Sequence, residues 1–556
     1  MKKLSLFSLF FYISICSFGQ KTKTSVYSQD PKAIAKGKAL FETNCASCHN
    51  FKQKGIGPNL AFVTNEMPVE WVKNAIINTS KLLKSFDKRA TTLVQEYKQT
   101  MPSFEHLKDQ DVNNLVAYIH SERKDKKATP IEGLYGRILP PIEKSKLKLK
   151  LEYINTAPAT SNKIPIARIN TMVNFKNRTF LSDLRGIIYE MKGKELIPYM
   201  DFQKLQPNFI HVPGLATGLG SYAFHPDFEE NGLFYTSHAE KAKTAKADYF
   251  YNDSIKVALQ WVILEWKVDN LLAEKFKGKP REIFRIDFVS QIHGMQEIAF
   301  KPNIEKTDED YGLLFIGIGD GGASENGFPQ ICNSTKTPWS SVLRIDPKGN
   351  NSKNGKYGIP KSNPFLKPED AQEVYCRGFR NPNRIYWTPD GKMLISDIGH
   401  KNVEEINIGK KGSDYGWPVR EGNFVIDPFK NMDVLYNLPK NDVGYQYPSL
   451  QYDHEDGNAI SAGFVYNENE ISNLKGKYIF GDIVSGRVFY AENKEMQFGK
   501  QSPIFEFQLE LNGNSVNFKD LCSNSKTDLR FGQGIAGEIY LYTKTDGKIY
   551  KIVGCE

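Results

Sequence analysis

Hydrophobic positions follow three rhythms along the chain. At the start, Lys2 and Lys3 precede an apolar run from Leu4 to Cys16, and Ser17-Phe18-Gly19 follows with small residues at the cleavage positions. This predicts a secretory signal peptide over 1–19, too short to cross a bilayer. Between 30 and 123 the apolar residues keep a helical period. Asp30-Pro31 offers an N-cap and a first helical residue, and Ile34, Leu40, Phe41 and Cys45 share one face. Trp71 falls on another helical segment. Val112, Leu115, Val116 and Ile119 mark a last helix, with Asp109 and Asp111 in the first turn, where the helix dipole favours negative charge. Residues 124–155 read as a linker carrying Gly133, Gly136 and Pro140-Pro141. Inside it Lys146–Tyr153 alternates at period two, an amphipathic strand with a basic, solvated face.

From 156 to 556 the helical signal fades and a unit recurs. An aromatic residue is followed by x-Pro-Asp/Asn, a glycine turn, then large apolar residues ending in an acid or glycine. Phe224-His225-Pro226-Asp227 leads to Leu233-Phe234-Tyr235; Phe300-Lys301-Pro302-Asn303 leads to Leu314-Phe315-Ile316 and on to Asp320. Trp387-Thr388-Pro389-Asp390 leads to Met393-Leu394-Ile395-Ser396-Asp397. Weaker copies lie at Phe175, at Tyr478-Ile479-Phe480 and at Ile539-Tyr540-Leu541. Six units in this span allow roughly 65 residues each, enough for four strands and a long loop. The expected architecture is multidomain: a small all-α domain, then an all-β six-bladed propeller. A sandwich with long insertions is the competing arrangement.

Composition narrows the function. With 40% hydrophobic and 25% charged residues the 556-residue chain is not dominated by disorder. A net charge of +9 spread over that length does not make a nucleic-acid groove, so no nucleic-acid partner is expected. No other apolar run is long enough for a transmembrane span. The mature chain is expected to be exported, periplasmic or secreted.

Seven cysteines are present. Cys45-Ala46-Ser47-Cys48-His49 has the spacing of covalent c-type haem attachment: two thiols for one porphyrin edge and an imidazole placed to meet the iron. A reduced thiol pair or a zinc half-site is the alternative. Two Met-Pro pairs offer the sixth iron ligand, Met67-Pro68 and Met101-Pro102. Together with the flanking helices and Gly57-Pro58-Asn59-Leu60, the segment resembles a class I cytochrome c domain. That resemblance favours Met101, whose loop leads into the last helix. Cys332, Cys376, Cys522 and Cys555 form either two disulfides or buried thiols.

The larger region resembles the glucose/sorbosone dehydrogenase family of six-bladed propellers. Gly378-Phe379-Arg380-Asn381-Pro382-Asn383, Asp397-Ile398-Gly399, Glu404-Glu405-Ile406-Asn407 and Asp414-Tyr415-Gly416-Trp417-Pro418 carry the likeness. Gly319-Asp320-Gly321-Gly322 and Val342-Leu343-Arg344-Ile345-Asp346 support it, and Hedgehog-interacting-type propellers share several of these motifs. The resemblance implies pyrroloquinoline quinone (PQQ) as cofactor, His293 as general base and Asp320 as the carboxylate orienting it. It further implies Arg380, Asn381 and Arg530 against the cofactor, with Arg487 a weaker candidate. Calcium is implied on the backbone carbonyls of Gly399 and His400, with Glu404 and Glu405 as further contacts. Three positions depart from the pattern: Ile292 replaces an aspartate, Ala216 a glutamine and Val484 a lysine. The expected function is oxidation of a sugar or related alcohol with PQQ, electrons passing to the fused haem c and on to a respiratory acceptor. A non-catalytic propeller binding glycans or a protein, tethered to an electron-carrying cytochrome, is the second expectation, and a calcium-dependent lactone hydrolase the third.

Overall fold

The computed structural model describes residues 27–46, 48–51, 57–97, 99–124, 133–214 and 216–556. The expected signal peptide lies outside the described residues.

Helix Pro31–Asn44 starts where the sequence places it. The Asp30 carboxylate accepts from the Lys32 amide at 3.0 Å, satisfying a donor that the first turn leaves open. Short helices follow, including Val69–Ile77 with Trp71 and Lys88–Tyr97, and Asp109–Ser121 closes the domain. Its apolar face (Val112, Leu115, Val116, Ile119) packs with Phe41, Val72 and Ile76 into one small core.

The rest is a six-bladed propeller. Blade one spans Ile169–Asp201, blade two Leu219–Phe288, blade three Glu297–Arg377 and blade four Pro382–Asp453, each a four-stranded sheet. Blade five (Ile460–Leu511) and blade six (Leu529–Cys555) share one larger sheet. Blades one to four touch in order through their first strands, the first strand of blade five meets Met393–Asp397 of blade four and the first strand of blade six, and the sixth returns to the first, closing a ring about a central axis. Each repeat noted in the sequence marks a blade hairpin: Phe224, Phe300 and Trp387 end first strands, and the apolar runs after them are the buried second strands. Second strands such as Leu314–Ile318 are buried on both faces, hence their unbroken apolar run. Between blades two and three, Trp261, Phe284, Ile316 and Leu343 interlock in a single core.

One expectation needs correction. The segment assigned to the linker contains strand Glu143–Thr156, which belongs to the propeller. It pairs antiparallel with Lys548–Cys555 (Leu151 opposite Ile552, Tyr153 opposite Tyr550) and parallel with Phe505–Leu511 (Leu149 opposite Leu509). It is the fourth strand of blade six and the seam to blade five. Its lysines hid this, because Lys148 and Lys150 reach Glu510 and Glu556 at the solvent side while Leu149 and Leu151 are buried. Cys332, Cys376, Cys522 and Cys555 carry free thiols rather than the two disulfides considered.

Candidate active site

In the helical domain, helix Pro31–Asn44 ends at Cys45, and the amides of Cys48 and His49 both donate to the Cys45 carbonyl. This turn holds both thiols and the histidine at one helix end. The His49 Nδ1 lies 2.9 Å from the Pro58 carbonyl, which can only accept, so Nδ1 bears the proton and Nε2 keeps its lone pair. Burial lowers the His49 pKa and holds the ring neutral, the form that ligates a metal. A side chain at Gly57 would run into the imidazole. Met101, Met67 and Trp71 pack on the same core, and the Trp71 indole N–H is buried without a hydrogen-bond partner among the described residues. Two thiols, a neutral imidazole, nearby thioethers and an orphaned donor fit a covalently held haem.

At one end of the propeller axis lies a cavity of about 410 Å³, within the usual size range of small-molecule sites. The segments entering the first strands build it: Ile292, His293 and Gln296 before blade three, Arg380 and Asn381 before blade four, Lys526, Asp528 and Arg530 at blade six. Loops after second strands add Ile398–Asn402, Ile483 and Val484.

His293 sits in the left-handed region at φ 53°, and its Nδ1 lies 2.6 Å from the Asp320 Oδ1. A carboxylate oxygen can only accept, so Nε2 carries the lone pair. The same Asp320 oxygen accepts from the Gly322 amide at 2.7 Å, and the Trp417 indole donates to Oδ2 at 3.2 Å. Gly321 and Gly322, at φ 63° and 75°, make this turn possible. Burial and then the Arg380 charge lower the His293 pKa, outweighing Asp320. Burial raises Asp320, yet His293 and Arg380 outweigh it and the carboxylate stays ionised. The result is a neutral imidazole with an oriented lone pair.

Arg380 is fixed from within the protein. Nη1 donates to the Gly399 carbonyl at 2.6 Å and Nη2 is paired with Glu325, which also accepts from His400 Nδ1 at 3.0 Å. Asp397 takes the amides of Arg380 and Asn381 at 2.9 and 2.5 Å and so sets the backbone of that strand entry. Burial raises Glu325, but Arg380 and His400 overcome it and hold the carboxyl well below the usual carboxylate range. Sequence reasoning missed Glu325. Its one signal was its place five residues after Asp320, in the same glycine-bearing turn.

Three buried polar atoms at the cavity lack hydrogen-bond partners among the described residues: Arg380 Nε, Asn381 Oδ1 and His400 Nε2. Arg530 lines the cavity and belongs to a cluster with Arg168, Arg384 and Lys544, the last two both donating to the Asn170 carboxamide oxygen at 3.0 Å. Burial, then the neighbouring cations, push Lys544 far below a normal lysine, while Arg530 falls to about 10 through burial and the nearby Arg384 despite Asp528. Unpaired buried dipoles beside a strained cationic cluster fit a planar, polyanionic ligand. Calcium fits less well. The Gly399 carbonyl already accepts from Arg380, so a divalent cation there would face a fixed guanidinium, and no step is derived through one. Glu404 accepts from His454 Nε2 at 2.8 Å and the Ile460 amide at 2.8 Å, Glu405 from the Gly422 amide at 2.9 Å. Both are buried within blade four's packing. Arg487 pairs with Asp456 and Glu506, away from the cavity lining.

A family model described as Glucose / Sorbosone dehydrogenase matches residues 179–551. The chain belongs to that family. A cytochrome c family model matches residues 34–122. This glucose/sorbosone dehydrogenase family member is 28% identical over 365 residues to the HIPL2 protein of Arabidopsis thaliana, covering 57% of this chain and 50% of the other. It is 29% identical over 236 residues to quinoprotein glucose dehydrogenase B of Acinetobacter calcoaceticus, covering 38% and 42%. The chain spans about half the length of the first curated relatives it matches. The apo-form soluble aldose sugar dehydrogenase of Escherichia coli shares the propeller fold at 17% identity, covering 74% of this chain and 99% of that one with a TM-score of 0.50. Among the described residues no helix is long and apolar enough to cross a membrane.

Proposed function

We propose that this protein is an exported quinohaemoprotein dehydrogenase that oxidises a sugar or related alcohol at the propeller and delivers the electrons to its own haem c. The observation that carries this reading is the neutral His293–Asp320 pair at a cavity that the buried Arg380 and Arg530 also line. PQQ, when bound, supplies the two-electron hydride acceptor. His293 Nε2 takes the proton of the reacting hydroxyl, while Asp320 keeps the Nδ1 proton in place and stabilises the imidazolium that forms. Arg530, coupled to Lys544 and Arg384, would offset the carboxylates of the cofactor. Arg380, locked by Glu325, directs positive potential at the site. In the cytochrome domain His49 and Met101 would hold the haem iron, and a thioether donor there would raise its potential, suiting a domain that takes electrons from the propeller and passes them to a respiratory acceptor.

The apolar side chains of Ile292, Ala216 and Val484 mean that substrate recognition differs from that of the quinoprotein glucose dehydrogenase it resembles. The second reading, a glycan- or protein-binding propeller, draws on the internal pairing of Arg380 and on 24% identity over 378 residues to mouse Hedgehog-interacting protein. Equilibrium titration of the haem-loaded protein with PQQ separates them. Saturable one-to-one binding, weakened about tenfold or more by Arg530→Ala as expected for a lost charge-assisted contact, supports the dehydrogenase. Absence of binding supports the alternative.

A further inference from the structure

The cavity beside His293 is not walled by the propeller alone. Glu96 and Tyr97, at the end of helix Lys88–Tyr97, and Gln99 just beyond it line the same space as His293, Arg380 and Arg530. The contact is anchored on both sides. The Lys401 ammonium lies 4.9 Å from the centroid of the Tyr97 ring. Burial, then Glu96 and Asp433, push the Tyr97 phenol up, so that it stays protonated and able to donate. Farther out, Lys256 of the propeller is paired with Glu42 of helix Pro31–Asn44. The chain between the two domains is pinned beside the mouth, with the Leu134 amide donating to Leu435 at 2.8 Å and Arg137 paired with Asp456 at 2.8 Å.

Both walls carry chemistry. The propeller's lining mixes Ile292, Ala216, Ile483 and Val484, which only exclude water, with polar groups such as Gln296, Asn383 and Asn458. The helical domain offers a phenol ring, which packs on C–H faces and donates one hydrogen bond, together with a carboxylate and a carboxamide, which accept from and donate to hydroxyls. We propose that Tyr97, Glu96 and Gln99 form one substrate-reading wall of the site, so that the hydroxyl pattern of a polyol substrate is recognised in part by the cytochrome domain. These are positioning residues, and the inference rests on the dehydrogenase reading above. It makes the two domains one catalytic unit, because the electron-accepting domain also helps to select the electron donor.

The test uses the full-length protein loaded with haem and PQQ, a panel of epimeric aldoses, and a soluble dye that accepts electrons at the propeller, so that haem reduction does not limit the rate. Tyr97→Ala is expected to raise KM about tenfold for the preferred aldose, with kcat nearly unchanged and the preference among epimers flattened. Glu96→Gln is expected to shift the epimer preference, and Tyr97→Phe to restore most of the affinity. Unchanged KM and epimer preference in both Tyr97→Ala and Glu96→Gln would overturn the proposal. If the wild-type protein turns over no aldose, the dehydrogenase reading fails, and hydrogen exchange then judges the wall separately. Joint charge reversal, Lys401→Glu with Lys256→Glu, is expected to speed amide exchange over 88–97 by about tenfold if that helix is docked. Unaltered exchange would show that it is not.

Discussion

Replacing Asp320 by asparagine tests the acid–base core with little change in volume. In the native arrangement three donors, His293 Nδ1, the Gly322 amide and the Trp417 indole, converge on two acceptor oxygens. An asparagine has only one acceptor. With its oxygen toward Trp417, its NH2 faces His293 and drives the imidazole to the tautomer that bears the proton on Nε2, leaving no lone pair for the substrate. With its oxygen toward His293, NH2 and indole oppose each other. Either way the base is impaired, and loss of a positioned general base costs about 10²- to 10⁴-fold in rate, or roughly 3–5 kcal/mol at about 1.36 kcal/mol per decade. The assay is single-turnover reduction of haem by aldose at saturating PQQ. The pH profile adds a second readout. Burial and Arg380 already lower the His293 pKa, and Asp320 opposes them. Removing that negative charge lowers it further, so the acid limb of kcat/KM moves to lower pH. Activity within about threefold of wild type, or an acid limb moved to higher pH, would refute the assigned roles.

Other perturbations report on separate parts of the structure. Glu325→Gln leaves the buried Arg380 charge without its counter-ion; breaking such a pair costs about 3–5 kcal/mol, read as a lower thermal midpoint, and a loss under about 1 kcal/mol would contradict the pairing. Gly57→Ala forces a methyl into the His49 ring, so haem incorporation measured by haemochrome absorbance should fall sharply, whereas normal loading would contradict the site. Met101→Ala should abolish the six-coordinate low-spin spectrum, and its survival would reassign the ligand. His225, His238 and His293 are held neutral by burial, so below about pH 6.5 the unfolded chain binds protons that the native state refuses. Their stability contribution is full above that pH and is lost as pH falls through the window beneath it, at up to about 1.4 kcal/mol per pH unit for each histidine. Denaturant midpoints that do not fall between pH 6.5 and 5 would count against it.

Much of the fold could be read from the chain because local chemistry and tertiary role agree. Asp30-Pro31 caps a helix wherever it lies, and an aromatic, a proline turn and an apolar run make a blade hairpin from a few adjacent residues. The alternation over Lys146–Tyr153 was legible as a strand, but the place of Glu143–Thr156 in the propeller was not, because its lysines look like a solvated edge and its partners lie some 350 to 400 residues away in sequence. His293 and Asp320 were identified through family resemblance, and the structure brings them within a hydrogen bond. The Arg380 environment was legible only in part. Nothing in Arg380-Asn381-Pro382 announces that Glu325 has claimed the guanidinium, since ion-pair geometry across blades leaves no local pattern. The contribution of Glu96, Tyr97 and Gln99 was invisible for the same reason, being created by the packing of one domain on another.

The most direct test of the account mixes haem-loaded, oxidised protein with a limiting amount of aldose, with and without PQQ, and follows haem absorbance under anaerobic conditions. The account predicts no reduction without PQQ. With it, two haems are reduced for each sugar oxidised, matching the two electrons leaving one hydroxyl-bearing carbon. Haem that stays ferric with PQQ bound across the whole aldose panel, or that is reduced equally well without it, would contradict the claim that the propeller feeds the cytochrome.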